Sequence, residues 1–553
     1  VFVAMYLLVF LCACAAHAQD TVSVNTTQGV VVGNLVNDKY LAFFGIPYAG
    51  STSGENRFKA PTPAPNFPGV FHAVATDVLC AQPSPRGIIG VEDCLVLNIY
   101  TKNVTTSKPV IVWINGENFA TDIRPYSFDT LILSDLVVVS INYRLSIFGF
   151  LCLGVSGAPG NAGLKDIVQG LKWIQANIQG FGGDPNNMVL MGHGSGAAIV
   201  DLITLSPLAT GLVHKAIVLS GSGLAPWAIS YDPVNRASAV GDKLARLLAS
   251  TDFNVLGNVL NSAWSPNNTV MFAPCIENAN LDPNNTFLAN APMEILHSGN
   301  YSDIPYIGGY TNREGTIKAD NVVFNQWLEK MEANFTEFIQ VDIHFPEKNQ
   351  TALVNEIRNY YFSQKQINVQ TIEDYLNYHG NTTILVPMTL NVRKRASTSK
   401  SEVRLFEFGF QGTDNSDWPF PQIPLTGVRH GRILNYLFDF GLTESDVTAK
   451  KNLITRFTSF AYTGNPNTSD PGDTSWLPVE DSVEYTLLIT SAVDPELTLY
   501  REQLQVFLNK EEMEFWSTMC YRFYVPPTPV SSGSKLSCFL ILSIATQLII
   551  RLI

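Results

Sequence analysis

The residues best suited to chemistry lie in Met191-Gly192-His193-Gly194-Ser195-Gly196-Ala197. Before them, Asn187-Met188-Val189-Leu190 reads as a short buried strand; after them, Ala197, Ala198, Ile199, Val200, Leu202 and Ile203 read as a helix packed into a core. A sharp strand-to-helix turn of small residues is the frame of a nucleophile elbow, G-x-S-x-G, whose serine attacks an acyl carbon. In this chain the five positions are Gly192, His193, Gly194, Ser195 and Gly196, so a glycine stands where the hydroxyl belongs. Glycine adopts the strained turn more easily than serine does, so the frame survives the change. Stepping one residue at a helix start turns the side chain by roughly 100°. Ser195 is therefore expected to point off the line of attack, although a rearranged turn makes it the candidate for a displaced nucleophile.

Two further groups complete the chemical inventory. Glu314 lies in Gly309-Tyr310-Thr311-Asn312-Arg313-Glu314-Gly315, and His430 in Gly427-Val428-Arg429-His430-Gly431. Taken singly, such side chains are usually solvated or capping. His193, Glu117 and His430 show no metal-ligand spacing, so no metal and no cofactor is expected.

The elements that must hold these groups alternate between strand-like and helical runs, the pattern of a mainly parallel α/β sheet. Val110-Ile111-Val112-Trp113-Ile114 and Leu136-Val137-Val138-Val139-Ser140-Ile141 are nearly continuous apolar runs, as strands buried on both faces require. Ala216-Ile217-Val218-Leu219 and Val403 to Phe408 read as further strands. Ile167, Leu171, Ile174 and Ile178 recur at helical spacing, with Gly180 as the stop. From about 319 to 384 the chain is more polar and helical, which predicts an accessory layer over the pocket.

Several long motifs share their order with one family. Phe44-Gly45-Ile46-Pro47-Tyr48, Glu92-Asp93-Cys94-Leu95, Asn142-Tyr143-Arg144-Leu145, Gly160 to Asp166 and Phe181-Gly182-Gly183-Asp184-Pro185 resemble the type-B carboxylesterases and cholinesterases, with their α/β-hydrolase fold. The resemblance implies one large domain and a Ser–His–acid triad that performs acyl transfer. On that pattern Glu314 matches the acid and His430 the base, while Gly194 takes the serine position. The family's oxyanion loop appears as Asn115-Gly116-Glu117-Asn118-Phe119, with Glu117 and Asn118 in place of two glycines, and Ser195 follows the nucleophile position. A carboxylate beside a developing oxyanion opposes it. Losing a triad nucleophile costs about 10⁶ in turnover, and one oxyanion donor on the order of 10²–10³. The expectation is an esterase scaffold that acts by binding, through surface recognition of an extracellular protein or capture of an apolar ligand. The alternative is an active carboxylic ester hydrolase using Ser195. The segment Ala81 to Asp93 carries no aromatic residue to hold a quaternary ammonium, which weighs against a cholinesterase.

The expected organisation is a signal peptide over 1–18, a carboxylesterase-like domain over 19–525, a linker over 526–537 and an apolar tail over 538–553 that resembles a GPI-anchor signal, with a membrane-spanning anchor as the alternative. Sequons at Asn25, Asn103, Asn267, Asn284, Asn300, Asn334, Asn349, Asn381 and Asn467 agree with the secretory pathway and a cell-surface or secreted glycoprotein. Cys80 and Cys94 enclose a short loop and are the expected disulfide, whereas Cys152 reads as a buried apolar thiol. A net charge of −13 without a basic cluster excludes nucleic acid as a partner. Membrane attachment is expected through the tail alone.

Overall fold

The computed structural model describes residues 21–520, apart from 85–86, 123–126, 231–232, 234–264, 341–349, 413–417, 419, 421–425, 470–472, 481–483, 492–499 and 507–509. The expected signal peptide, linker and tail lie outside these residues, as does the Asn349 sequon. Seven parallel strands form the centre of a large mixed sheet: β1 (Lys108–Ile114), β2 (Val137–Ile141), β3 (Gly183–His193), β4 (Lys215–Leu219), β5 (Tyr306–Thr311), β6 (Val403–Gly409) and β7 (Tyr485–Ser491). They lie in the order β2-β1-β3-β4-β5-β6-β7. Antiparallel strands extend both edges, Val96–Thr101 beside β2 and Tyr500–Val506 beside β7.

The apolar runs form strands because helices cover both faces. Along β1, Val110, Val112 and Ile114 enter one core and Ile111 and Trp113 the other, the two-residue alternation of a pleated strand. Three helices matter to the site: α1 (Ala162–Asn177), α2 (Ser195–Leu205) and α3 (Val386–Thr398). Every residue of α2 is buried.

Three expectations change. The strand before the elbow runs from Gly183 to His193, longer than the four residues expected, with a register shift between Gly183 and Met188 against β1. The chain leaves the helical run not at Gly180 but at Gly182, whose φ of +82° caps the short 3-10 turn after α1. Cys152 is not a free thiol: it is bonded to Cys275 across a separation of 123 residues. The partner sits far away in sequence, in a stretch with no local signal. Cys80–Cys94 forms as expected.

The 319–384 region is helical, with Ala319–Asn325, Trp327–Ala333, Gln350–Phe362 and Ile372–Gly380. It gathers a core of its own, including Trp327, Met331, Phe338, Tyr375 and Tyr378. It also packs on the segment that carries Glu314, so closely that a Cβ on Gly315 would stand 1.8 Å from the Leu376 carbonyl oxygen. Asn25, Asn103, Asn284, Asn300 and Asn334 are exposed, while Asn267, Asn381 and Asn467 are half-buried. Among the described residues no helix is long and apolar enough to cross a membrane.

Candidate active site

The elbow forms where β3 ends and α2 begins. Gly194 has φ +58° and ψ −123° and supplies the N-cap of α2. The framing glycines are required by contact. A Cβ on Gly192 would lie 2.6 Å from the Gly196 backbone, and one on Gly196 would lie 2.3 Å from the Ile114 carbonyl oxygen. Gly221 is held to the same rule by the Gly194 carbonyl, 2.1 Å from where its Cβ would stand. Gly194 itself is different. A Cβ there meets only His430 Nε2, at 4.0 Å. The turn thus keeps glycine where a side chain cannot fit, and also has glycine at the one position where a side chain has room.

Glu314 opens the short helix after β5, and His430 lies in the loop before the helix Ile433–Phe438. Pairing between Arg313 and Arg429 aligns the two segments, with the Arg313 N–H donating to the Val428 carbonyl at 3.0 Å. His430 Nδ1 contacts Glu314 Oε2 at 2.5 Å, and Glu314 Oε1 accepts from the Thr311 N–H at 2.7 Å. The His430 N–H donates to Thr316 Oγ1 at 2.9 Å. With Nδ1 donating to the carboxylate, Nε2 is left as the acceptor that faces Gly194. The structure therefore brings together Glu314, His430 and Gly194, although they are scattered over more than two hundred residues.

Ser195 is directed elsewhere. Its Oγ accepts from the Phe119 N–H at 3.2 Å, and it would lie 2.9 Å from a Cβ on Gly116. The hydroxyl is thus turned into the oxyanion loop and makes no hydrogen bond to His430. Asn118 and Phe119 have φ of +54° and +60°, so the loop keeps a glycine-like path despite its side chains. Asn tolerates that region; Phe does so at a cost in strain. The Glu117 N–H is engaged by the Thr121 carbonyl at 3.1 Å. The Glu117 side chain is exposed but crowded by protein, which raises its pKa, an effect partly offset by His430.

Sequence reasoning weighed His193 only as a metal ligand, and it missed Asp201. His193 is 7% exposed and its ring lies 4.8 Å from that of His430. Burial, then the His430 charge, holds its pKa well below the usual range, and its Nε2 has no hydrogen-bond partner among the described residues. Asp201, buried on α2, accepts from Arg395 Nη2 of α3 at 2.7 Å, from Asn391 Nδ2 at 2.8 Å and from the Gly223 N–H at 2.7 Å. An aspartate inside the apolar run of α2 was the available signal. Among the described residues, no three His, Cys, Asp or Glu side chains gather as a metal site.

A parallel-centred sheet with an elbow after one strand, an acid after another and a histidine in a later loop defines an α/β-hydrolase. The chain belongs to the carboxylesterase family, whose profile matches residues 20–516. It is 28% identical to venom carboxylesterase-6 of Apis mellifera, over 93% of this chain and 97% of that one. It is also 28% identical to bile salt-activated lipase of Bos taurus, over 95% and 92% of the two chains. The solved structure of juvenile hormone esterase from Manduca sexta has the same fold, with a TM-score of 0.77 at 24% identity, over 90% of this chain and 99% of that one.

Proposed function

We propose that this chain is an extracellular member of the carboxylesterase family that has given up ester cleavage and binds an apolar small molecule in the inherited cleft. The observation that carries this reading is Gly194: a Cβ there would lie 4.0 Å from His430 Nε2 and meet nothing else within that distance, yet the position carries no nucleophile. One feature of the oxyanion loop supports it: the N–H of Glu117, at one of the two replaced glycine positions, is engaged by the Thr121 carbonyl. A poised Glu314–His430 pair favours a ligand at this cleft over recognition on a distant surface. It also favours the second reading, hydrolysis by Ser195, against which stands the direction of that hydroxyl.

Two disulfides and five exposed sequons support an oxidising, extracellular setting. The apolar segment 538–553 supports attachment to a membrane as a GPI signal. Release from cells by a phosphatidylinositol-specific phospholipase tests that attachment. For the chemistry, the secreted protein is assayed on p-nitrophenyl acetate and with an organophosphate probe. Neither turnover nor labelling is expected; activity abolished by Ser195→Ala would overturn the reading.

A further inference from the structure

The fold uses two of the sequons in opposite ways. In Asn103-Val104-Thr105 only the side-chain oxygen is engaged: Asn103 Oδ1 accepts from the Thr105 N–H at 2.9 Å and from Thr105 Oγ1 at 2.8 Å. The Asn103 carbonyl accepts from Thr106 Oγ1 at 2.9 Å, which holds the turn before β1. Asn103 is exposed, and its Nδ2 donates to no described residue. In Asn467-Thr468-Ser469 both ends of the amide are engaged. Asn467 Oδ1 accepts from the Trp476 N–H at 2.7 Å, and Asn467 Nδ2 donates to the Trp476 carbonyl at 3.3 Å. The half-buried side chain thus pairs with one residue as a neighbouring strand would. That clamp seats a core residue. Trp476 is 1% exposed, donates Nε1 to the Leu405 carbonyl at 3.0 Å and packs its ring 5.5 Å from that of Phe406.

An N-linked sugar replaces one of the two amide hydrogens, and the secondary amide so formed prefers trans. In the trans form the substituent lies on the side of the carbonyl oxygen and the remaining hydrogen on the other side. At Asn467 the oxygen and the nitrogen meet the same residue, so Nδ2 donates the hydrogen on the oxygen's side. That is the hydrogen a sugar displaces. A chain sugared at Asn467 therefore loses this bond and sets a bulky polar group against the Trp476 backbone, whenever the sugar is added. At Asn103 neither amide hydrogen is engaged among the described residues.

The structure assigns an N-linked oligosaccharide to Asn103 and withholds one from Asn467, whose amide seats Trp476. This rests on the reading that the chain passes through the secretory pathway. In the transfer, Asn103 Nδ2 bonds to the anomeric carbon of a polyprenyl-diphosphate oligosaccharide. The bond from that carbon to the diphosphate oxygen breaks, the diphosphate leaves, and the nitrogen gives up one proton. Asn103 precedes β1, whose far end, Ile114, pairs with Gly192 of the elbow strand. The length of β1, about 20 Å, therefore separates the sugar from the turn at Gly194 and leaves that end of the sheet uncovered by it.

The test is peptide mapping of the full-length protein expressed in animal cells, with peptide N-glycosidase in heavy-oxygen water converting each sugared asparagine to a heavy aspartate. The Asn103 peptide is expected to carry this mark and the Asn467 peptide to lack it. Two variants separate the sequon at Asn467 from its amide. Ser469→Ala removes the sequon alone and should leave the mass, secretion and thermal midpoint unchanged. Asn467→Ala removes the clamp and should lower the midpoint. A mark at Asn467, or none at Asn103, in the secreted protein overturns the assignment, as does a loss of sugar mass in Ser469→Ala. An Asn467→Ala protein as stable as the unchanged one overturns the role given to the amide. A secreted protein without any sugar overturns the assignment and leaves secretion in place; a protein kept in the cytosol and unmarked overturns the secretory reading itself.

Discussion

Gly194 and the oxyanion loop can be tested apart. If the chain lacks only a nucleophile, Gly194→Ser restores hydrolysis, since a Cβ there meets only His430 Nε2. With the Glu117 N–H, at one replaced oxyanion glycine, engaged by the Thr121 carbonyl, the single change should restore little. Adding Glu117→Gly should then raise turnover of p-nitrophenyl acetate by about 10²-fold, the worth of one oxyanion donor. Equal rates in the single and double variants would show that Glu117 does not obstruct the loop. A second prediction at this scale concerns His379, wholly buried among Trp327, Phe338, Tyr375 and Tyr378, with neither ring nitrogen hydrogen-bonded among the described residues. Burial and then the Lys318 charge hold its pKa well below the usual 6.5. Below pH ~6.5 the unfolded chain takes up a proton that the folded chain refuses, so stability is full above that pH and falls as pH drops. The slope approaches about 1.4 kcal/mol per pH unit for one such histidine. Denaturant titrations between pH 7 and 5 should show a shallower loss for His379→Leu than for the unchanged protein. His193, held down by the same cause, adds to the common slope in both.

At the scale of elements, the elbow helix α2 is fastened from behind. Asp201 links it to α3 through Arg395 and Asn391 and to the turn after β4 through Gly223. Arg395 is itself flanked by the rings of Tyr301 and Tyr306 at 5.0 and 4.5 Å. Both members of the ion pair are buried, so removing one leaves a charge without its partner. Asp201→Asn should cost about 3–5 kcal/mol in denaturant unfolding. Adding Arg395→Met should recover much of that loss, because no lone cation then remains in the core. If the double variant proves as unstable as the sum of the singles, the pair is not the source of the cost. The same fastening explains how the turn at Gly194 keeps its geometry without a serine to select for it.

For the whole molecule, the two disulfides should differ in worth. Cys80–Cys94 closes a separation of 14 residues and Cys152–Cys275 one of 123. Chain entropy assigns about 3 kcal/mol to the shorter loop and about 5 kcal/mol to the longer. Paired replacement by alanine should lower the denaturant midpoint more at Cys152 and Cys275 than at Cys80 and Cys94. The reverse order would mean that strain or residual unfolded structure, not loop length, sets their contribution.

What could be read in sequence follows from what is local. The strands β1, β2, β4 and β6 and the helix α2 declare themselves through runs of apolar residues, because burial on both faces demands such runs. The elbow frame is likewise local: Gly192 and Gly196 are required by contacts within a few residues of the turn and with the neighbouring strand. Glu314 and His430 were legible through motif order alone. Their 2.5 Å contact depends on Arg313 pairing with Arg429 after separate strands have been laid side by side. The direction of Ser195 followed from the helical step, but the His193–His430 ring contact, the partner of Asp201 and the Cys152–Cys275 bond had no such signal. Each joins groups distant in the chain or depends on a rotamer, and only the closing of the fold decides which of them meet. Sequence by itself determined that the scaffold is an esterase's and that Gly194 stands in the nucleophile position; tertiary structure decided that the adjacent Ser195 hydroxyl meets the Phe119 N–H and not His430, because its rotamer is set by the packing of the loop.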